Sequence, residues 1–438
     1  MKTRFSCILS LLALTATISQ AAAQTSFVLA TNYPMGDPYY VTAADVNGDG
    51  KVDLIIVNDY SDYGLNTLTV MTNDGSGGFA VSATLPVGER PAYVSAADVN
   101  GDGKVDLICA NGISQSLTIY TNAGLGNFAL ATNIGLGTEC SEVLTVDVNG
   151  NGKMDLICDT PGAASLTVLT NDGSGGFSVS SQPFTQPGCT WVTAADVNGD
   201  GKVDLVCAQQ WGGSYVNVLT NDGSGGFVLS SSFTTGHYPT SIAAADVNGD
   251  GKVDLVCCAS DLGQLIVFTN DGSGGFTASS TNNVGVYPNA VVAADVNGDG
   301  KVDLVCANWG GDGALNVLTN NGSGGFVTAA TLTNGTCSLN VTTADVNGDG
   351  KLDLISVSYW AGNAVSVWLN TSVNPVPPLG ITTVSSLPVV VWPASATNYV
   401  LQMTTNLASG NWVTVTNGIP FCGVQLTNAP GTAFFRLH

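Results

Sequence analysis

A nine-residue pattern rich in Asp, Asn and Gly occurs seven times in the sequence, and its residue types suit metal binding. The first copy is D-V-N-G-D-G-K-V-D at residues 45–53. Carboxylate or carboxamide oxygens stand at positions 1, 3, 5 and 9, and position 7 offers its backbone carbonyl. Glycines at positions 4 and 6 permit a tight turn. This set of oxygen ligands suits a hard cation of the size of Ca²⁺.

We therefore predict up to seven calcium sites, one in each copy, with ligands at positions 1, 3, 5, 7 and 9. The predicted ligands are Asp45, Asn47, Asp49, Lys51, Asp53, Asp98, Asn100, Asp102, Lys104, Asp106, Asp147, Asn149, Asn151, Lys153, Asp155, Asp196, Asn198, Asp200, Lys202, Asp204, Asp246, Asn248, Asp250, Lys252, Asp254, Asp295, Asn297, Asp299, Lys301, Asp303, Asp345, Asn347, Asp349, Lys351 and Asp353. In the third copy Asn151 replaces a charged ligand with a neutral one, which predicts the weakest site there.

Two other interpretations of the loop are weaker. An EF-hand loop needs a Glu at position 12 and a helix on either side, and neither is present. A metal-free polar turn would give no reason to hold three carboxylates together against their mutual repulsion. The residues around each loop are apolar and β-branched, V-T-A-A before the first loop and L-I-I-V after it, which indicates a strand on each side.

The loops recur at intervals of 53, 49, 49, 50, 49 and 50 residues, a period typical of propeller blades. In the first repeat we predict strands A to D around residues 39–44, 54–57, 67–72 and 79–84. The turn between strands C and D is N-D-G-S-G-G-F, whose Gly and Asn residues supply the positive φ angles of tight hairpins. No helical period persists in the repeats.

The two ends of the array predict how it closes. No fourth strand follows the seventh loop, but S-F-V-L-A-T-N at residues 26–32 resembles the fourth strand N-F-A-L-A-T-N at residues 127–133. The N-terminal segment should therefore complete the last blade and remove the exposed sheet edges. The predicted fold is an all-β, seven-bladed propeller over residues 25–372, closed by its N-terminal strand.

The repeat D-V-N-G-D-G-K-V-D-L-I, followed by T-L-T-V-M-T-N-D-G-S-G-G-F, resembles the FG-GAP or VCBS-type repeat. That repeat forms calcium-binding blades in the head of integrin α-subunits and in some fungal lectins. The resemblance implies that the cation loops join strands A and B on one face. It also implies that ligands meet the opposite face, which the B–C and D–A loops form.

Segments outside the repeats suggest an exported protein with a second module, and this module resembles small C-terminal β-modules of secreted bacterial proteins. Residues 1–23 are typical of a signal peptide, with two basic residues, an apolar run and a final A-A-A. The apolar run is shorter than a membrane span, so an N-terminal anchor is less favoured. A Pro-rich linker follows at residues 373–380, and residues 381–438 alternate like a small C-terminal β-domain.

The charge balance excludes some partners. The chain holds 33 acidic and 11 basic residues, and 20 of the acids and seven of the lysines lie in the loops. Seven bound Ca²⁺ ions would add 14 positive charges to a formal charge of −22. Nucleic acid is not an expected partner because no basic patch exists. No later stretch is expected to span a membrane, and we expect a monomer.

Eleven cysteines in an exported chain could form disulfides. Five of them stand at the same place in their repeats, eleven residues after the first Asp of the loop, and these are Cys109, Cys158, Cys207, Cys257 and Cys306. Equivalent places on separate sheets lie beyond disulfide reach, so we predict buried thiols there. The one pairing that we consider is Cys140 with Cys189.

Acidic and aromatic residues outside the cation loops gather in the B–C and D–A loops. The candidate ligand residues are Tyr60, Asp62, Tyr93, Glu142, Trp191, Trp211, Trp309 and Trp360. Aromatic rings stack on sugar rings, and carboxylates accept hydrogen bonds from their hydroxyl groups. In the alternative interpretation, these rings fill the wedges between blades and the acids only solvate the loops.

These features predict a secreted or cell-surface binding and adhesion module for a glycan or a surface protein. The alternatives are an enzyme that cleaves polysaccharides on the same face through a carboxylate pair, and a purely structural envelope protein. The sequence contains two histidines, from which no catalytic triad or zinc site is evident, so we expect no enzyme activity.

Overall fold

The structure is a computed structural model, and its described residues are 25–58, 65–185, 188–210, 214–311, 313–333, 337–359 and 362–372, with the backbone of six strands after residue 379. The predicted signal peptide and the linker at residues 373–379 lie outside the described residues. So do four predicted ligand residues, namely Tyr60, Asp62, Trp211 and Trp360.

The first blade is an antiparallel sheet of four strands in sequence order. Strand A is β2 (Pro38–Ala44), B is β3 (Asp53–Asn58), C is β4 (Thr67–Asn73) and D is β5 (Phe79–Pro86). The predicted strands are present, each one or two residues longer than the apolar pattern indicated. Apart from Leu85, the extra residues are polar or Pro at the ends of strands, where the pattern gives no signal.

Six more blades repeat this order around the ring, so the predicted seven-bladed propeller is confirmed. Their strands are β6 (Pro91–Ala97), β7 (Asp106–Asn111), β8 (Ser116–Asn122), β9 (Phe128–Gly135), β10 (Val143–Val146), β11 (Asp155–Cys158), β12 (Thr167–Asn171), β13 (Phe177–Ser181), β14 (Cys189–Ala195), β15 (Asp204–Gln209), β16 (Tyr215–Asn221), β17 (Phe227–Thr234), β18 (Pro239–Ala245), β19 (Asp254–Ala259), β20 (Gln264–Asn270), β21 (Phe276–Asn283), β22 (Pro288–Ala294), β23 (Asp303–Asn308), β24 (Leu315–Asn320), β25 (Phe326–Leu332), β26 (Cys337–Ala344), β27 (Asp353–Tyr359) and β28 (Ala364–Asn370). A 3₁₀ turn at Ser260–Leu262 follows β19.

The N-terminal strand β1 (Phe27–Pro34) closes the ring, as predicted. It pairs antiparallel with β28 and becomes strand D of blade 7. The register runs from Phe27 opposite Asn370 to Pro34 opposite Ala364. Just beyond it, the backbone N–H of Thr371 donates to the carbonyl oxygen of Ser26 at 2.8 Å. Blade 7 is thereby complete although its strands come from both ends of the array.

The apolar core consists of seven clusters, one between each pair of neighbouring blades. Strand B of each blade contributes to two of these clusters. In the first blade all six residues of strand B, which is β3, are buried, and they alternate between the two interfaces of the blade. Leu54 and Ile56 pack towards blade 7, whereas Ile55 and Val57 pack towards blade 2. Each such side chain stabilises the fold by about 1.5–3 kcal/mol. The continuous apolar run of strand B follows from burial on both faces.

A buried asparagine at the end of every strand C joins neighbouring blades through polar contacts. Asn221 Nδ2 donates to the carbonyl of Val203 in its own blade at 2.8 Å and to that of Val148 in the preceding blade at 2.7 Å. The same pair of bonds occurs in all seven blades. The equivalent residues are Asn73, Asn122, Asn171, Asn270, Asn320 and Asn370. The result is a closed ring of hydrogen bonds between blades.

The C-terminal unit contains two three-stranded antiparallel sheets. Their strands are β29 (Gly380–Val384), β30 (Leu387–Val391), β31 (Leu401–Thr404), β32 (Val413–Thr416), β33 (Gly423–Gln425) and β34 (Phe434–Leu437). The order is β29-β30-β33 in one sheet and β32-β31-β34 in the other. Within the described part of the chain, no helix has the length and apolar character needed to cross a membrane.

Candidate metal loops and the axial cavity

Each predicted cation loop wraps its backbone around its own carboxyl groups. In the first loop, Asp45 accepts hydrogen bonds from the N–H groups of Gly48 at 2.7 Å and Gly50 at 2.8 Å. Asn47 Oδ1 accepts from Asp49 N at 2.8 Å, and Asp49 Oδ1 accepts from Lys51 N at 2.9 Å. The φ angles of Gly48 and Gly50 are 77° and 82°, which other residues adopt with strain. The side-chain oxygens of the loop therefore accept hydrogen bonds from the loop's own backbone N–H groups, which fixes its turn.

The buried Asp at position 9 anchors each loop to the sheet. Asp53 is fully buried, and it accepts hydrogen bonds from Val46 N at 3.2 Å and from Asn73 N at 2.9 Å. Burial raises the pKa of this carboxyl, and the charges of Asp49 and Asp45 raise it further. The same shift occurs in the other six loops, and in the sixth it raises the pKa of Asp303 to about 7.

The donor set of the loops fits a calcium ion in its chemistry. It consists entirely of oxygens, three of them on carboxylates in six loops, and calcium prefers such ligands. Among the described residues, no three His, Cys, Asp or Glu side chains alone form a group that could hold a metal. A site here would thus need the amide oxygen at position 3 and the backbone carbonyl at position 7, as the sequence predicts. Bound calcium would supply positive charge among the clustered carboxylates.

The third loop differs from the others in its charge contacts. In the other six loops, the position-7 lysine lies within 4.0 Å of the position-5 carboxylate, as Lys104 does with Asp102 at 3.0 Å. Asn151 carries no charge, and Lys153 Nζ donates instead to the backbone carbonyl of Asp172. The third loop therefore has the fewest charged groups around its centre.

A cavity of about 450 Å³ opens at the end of the A strands that lies away from the cation loops. The A strands of neighbouring blades contact one another around the axis of the ring. Residues five and six positions before the first Asp of each loop lie at the start of strand A, and they supply most of the cavity wall. Those at the fifth position are Tyr40, Tyr93, Glu142, Trp191, Ala290 and Asn340.

One half of this wall is aromatic and acidic, and the other half is small or polar. The rings of Tyr40 and Tyr93 have centroids 4.0 Å apart and are tilted by 33°. Trp191 meets Tyr93 edge-on, with centroids 6.2 Å apart. All three rings are half-buried and also pack against the clusters between blades. They therefore line the cavity and also fill the wedges between blades.

Glu142 lies between Tyr93 and Trp191 in this wall and is only 2% exposed. Its Oε2 accepts a hydrogen bond from Val192 N at 2.5 Å. Burial and the nearby charge of Asp159 raise the pKa of Glu142 well above its ordinary value, although the bond from Val192 opposes the shift. Both effects disfavour the ionised form of Glu142 relative to the protonated form, and the protonated form can donate a hydrogen bond.

Asp159 holds the backbone of Ser141 and Glu142. Its carboxylate accepts hydrogen bonds from Ser141 N and Glu142 N, each at 2.7 Å, and from Ser141 Oγ at 2.5 Å. Burial raises the pKa of Asp159 to about 6 in spite of these donors. Since these three donors occupy the carboxylate, the geometry indicates that Asp159 positions the cavity wall.

Arg90 at the cavity rim was not predicted. Its guanidinium forms an ion pair with Glu139 at 3.2 Å, and both side chains are about half exposed. Both residues line the cavity. The sequence contained a signal for this site, because Arg90 is the only basic residue between positions 25 and 372 outside the cation loops.

The structure brings three of the eight predicted ligand residues together, and these are Tyr93, Glu142 and Trp191. Trp309 is elsewhere, 43% exposed and in contact with Tyr287 at a centroid distance of 6.2 Å. The remaining four lie outside the described residues.

The predicted pairing of Cys140 with Cys189 is wrong. Cys189 is bonded to Cys207, which lies on the adjacent strand of the same blade with a Cα–Cα distance of 6.0 Å. Cys207 is therefore not a free thiol, although Cys109, Cys158, Cys257 and Cys306 are buried free thiols in the structure, as expected. The prediction compared equivalent places in different blades and overlooked neighbours within one blade.

Comparisons of the sequence and structure with known proteins agree with this fold. The sequence matches the FG-GAP-like repeat at residues 45–109, 98–158, 147–207, 196–257, 246–306 and 295–356. No curated protein matches the chain in its sequence.

Several solved structures share the fold at low identity. BBS1N, solved in complex with ARL6DN, has a TM-score of 0.57 at 12% identity, covering 79% of this chain and 97% of its own. Virginiamycin B lyase from Staphylococcus aureus has a TM-score of 0.54 at 14% identity, covering 78% and 99%. A protein from Lactobacillus plantarum has a TM-score of 0.54 at 15% identity, covering 70% and 87%.

At these identities the structural likeness indicates the fold alone. The six sequence matches together span residues 45–356, which is well over half of the chain. We conclude that the protein belongs to the family of FG-GAP-like repeat proteins.

Proposed function

We propose that this protein is a calcium-stabilised binding module, exported by a bacterium, that binds a glycan in the axial cavity. The observation that carries the proposal is the half-ring of Tyr40, Tyr93, Glu142 and Trp191 in the cavity wall. Propellers serve as scaffolds for partners, and BBS1N was solved in complex with ARL6DN. A surface protein is the alternative ligand class.

The cavity suits a carbohydrate in size and chemistry. Its volume lies in the usual range for small-ligand pockets. The faces of Tyr93 and Trp191 offer stacking surfaces for the C–H groups of a sugar ring. Glu142, Arg90 and the amide of Asn340 offer hydrogen-bond partners for hydroxyl groups. Polar groups of this kind fix orientation, while the rings contribute most of the contact area.

Glycan binding is tested with three variants on a glycan array and by isothermal titration with the best hit. Trp191→Ala and Tyr93→Ala should each weaken binding at least tenfold, since both rings line the cavity. Trp309→Ala is the matched control, because Trp309 is an exposed aromatic residue that does not line the cavity. Binding that survives both cavity substitutions, or a wild-type protein that binds no glycan on the array, would contradict the proposal.

The calcium component has a separate test in thermal unfolding. Bound ions would offset the repulsion among the loop carboxylates, so removing them should lower the stability of the whole ring. We expect a chelator to lower the melting temperature by well over 10 °C and added Ca²⁺ to restore it. A melting temperature that is the same with and without chelator would argue against calcium in the loops.

Cleavage of a glycan is the second candidate, and one observation favours it. Glu142 and Asp159 are two neighbouring buried carboxyls with raised pKa values, which is the kind of pair that glycosidases use. The engagement of Asp159 by Ser141 and Glu142 disfavours it. Release of reducing sugar or unsaturated product, abolished by Glu142→Gln, would establish the enzyme and replace the binding proposal.

A further inference from the structure

We infer that Cys140 and Cys158 form a second disulfide, in blade 3, and that the two bridges together fix the cavity wall at Glu142 and Trp191. The inference concerns covalent structure, so it stands whether or not the cavity binds a glycan. Three observations support it, namely strand register, contact between the sulfur atoms and the residues at the same place in the other blades.

The register of strands A and B is the same around both cysteine pairs. In blade 4, Cys207 pairs with Val192, and Cys189 precedes Val192 by three residues. In blade 3, Cys158 pairs with Val143, and Cys140 precedes Val143 by three residues. Each pair is separated by 18 residues in sequence. The register of strands A and B at the second cysteine is thus the same in both blades, and the first cysteine stands at the same distance along the chain from it.

The sulfur atoms of blade 3 are already close to each other. Cys140 and Cys158 are fully buried, and their thiols are in hydrogen-bonding contact. The Cys140 thiol also lies 3.1 Å from the carbonyl oxygen of Glu142. In blade 4 the corresponding atoms are Cys189 Sγ and the carbonyl oxygen of Trp191, 3.7 Å apart. The first cysteine of each pair therefore has the same orientation in both blades.

The other blades lack the first cysteine of the pair. Position 7 before the loop is Pro or Ser there, and the residues are Pro38, Pro91, Pro239, Pro288 and Ser338. Cys109, Cys257 and Cys306 stand where Cys158 does, but none of them has a cysteine at the matching place on strand A. Cys258 contacts Cys306 from a neighbouring blade, which is a different geometry.

The two cross-links lie where the cavity wall needs support. Each first cysteine precedes its cavity residue by two positions, Cys140 before Glu142 and Cys189 before Trp191. Blade 3 has the shortest ladder between strands A and B, four pairs from Val143 to Val146. Glu142 lies just outside this ladder, so a bond from Cys140 to Cys158 would fix the start of strand A on strand B.

The bond would form during folding, before the thiols are buried. Each thiol loses a proton, and the two sulfurs join as a pair of electrons passes to a disulfide oxidant through thiol–disulfide exchange. The oxidant, a small-molecule or protein disulfide, leaves as two thiols. The reaction is therefore a two-electron oxidation of the dithiol.

The first experiment uses the wild-type protein folded in the presence of oxidised glutathione. Thiols are alkylated under denaturing, non-reducing conditions, and the digest is analysed by mass spectrometry. We expect a peptide linked through Cys140 and Cys158, together with alkylated Cys109. Alkylation of both Cys140 and Cys158, or a link from either to another cysteine, would overturn the inference.

The second experiment compares Cys158→Ser with Cys109→Ser, a matched buried cysteine at the same place in blade 2 that lacks a partner. Without the cross-link, the unfolded chain has more conformational entropy, which favours unfolding. Cys158→Ser should therefore lower the melting temperature several degrees further than Cys109→Ser. A reductant, which opens the bridges of the wild type and of both variants, should remove this difference, so that the two variants then lie equally far below the wild type. Equal losses in both variants under oxidising conditions would count against the bond.

Discussion

Glu142 has surroundings that set its protonation as well as its position. It is buried against Tyr93 and Trp191, and Asp159 places a second carboxyl close by. Both effects disfavour the charged form, and only one backbone N–H favours it. Ionising Glu142 therefore costs more free energy in the folded protein than in the unfolded chain. At pH values where Glu142 is ionised in the unfolded chain, this difference destabilises the fold.

We predict that Glu142→Gln becomes more stabilising relative to wild type as the pH rises. A pKa raised in the folded state gives stability that is complete below the unfolded pKa and is lost as the pH rises through the folded pKa. The variant has no such loss, so its advantage should be near zero at pH 4 and then grow by about 1.4 kcal/mol per pH unit until Glu142 ionises in the folded protein. Urea unfolding between pH 4 and pH 8 measures it.

Glu139→Gln is the control for this measurement, because Glu139 is exposed and paired with Arg90. It should follow the wild-type curve within about 0.5 kcal/mol, as surface substitutions usually do. An advantage of Glu142→Gln that is constant from pH 4 to pH 8 would show that Glu142 ionises as it does in the unfolded chain.

Asn151 is the residue that distinguishes the third cation loop. If the loops bind calcium, Asn151→Asp adds the missing carboxylate and should strengthen the weakest binding class about tenfold, measured by isothermal titration. The reverse change, Asp102→Asn in the second loop, should create a second weak site. A titration curve unchanged by Asn151→Asp would show that the weakest class lies in another loop.

At the scale of the elements, the asparagine that ends each strand C does more than form a turn. Its backbone N–H binds the buried Asp of the loop, its Nδ2 binds two carbonyls, and its Oδ1 accepts from the turn that follows. One of those carbonyls belongs to the preceding blade. The strand end, the cation loop and the next blade are thus connected through one side chain.

We predict that Asn221→Ala lowers the free energy of unfolding by roughly 3 kcal/mol. The substitution leaves the carbonyls of Val148 and Val203 buried without their donor, and each unsatisfied group costs about 1–3 kcal/mol. Urea unfolding at constant calcium concentration measures the change. Asn133→Ala, on the exposed strand β9, is the control and should cost under about 1 kcal/mol. Equal losses would contradict a role for the bonds between blades.

The sequence alone predicted the blades because each strand repeats one local pattern. Closure by β1 was predictable for the same reason, since residues 26–32 resemble a strand D. The meeting of Tyr93, Glu142 and Trp191 was also within reach, as all three stand five residues before a loop. These features depend on repetition, and repetition is visible in a sequence.

What the sequence did not predict depends on neighbours that the repeat does not fix. The bonds from Asn221 to the preceding blade need the spacing between two sheets. The Cys189–Cys207 pair needs the register between two strands, and the Arg90–Glu139 pair needs the path of one D–A loop. Each is a distance between chain segments, for which a single sequence offers no direct measure.

At the scale of the molecule, the ring is closed by β1 alone. Without it, β28 would present an unpaired edge. The apolar cluster that contains Phe27 would also be partly exposed to solvent. Every other blade takes all its strands from one continuous segment.

We predict that deleting residues 25–34 destabilises the propeller far more than deleting residues 374–438, which form part of a separate compact unit. The first deletion should lower the melting temperature by more than 10 °C and promote aggregation through the open edge. The second should leave the main unfolding transition within a few degrees. Calorimetry and light scattering measure both effects. A stable, monomeric protein without residues 25–34 would show that closure is dispensable.

The pairing of Ser26 with Thr371 means that both ends of the propeller leave blade 7 side by side. Because β1 and β28 run antiparallel from that point, tension between the two ends would act on their hydrogen bonds one after another, as when a zipper is opened. A cell-surface tether through both ends would therefore separate β1 from β28 and open the ring at low force. Attachment through one end alone would place no tension on this strand pair.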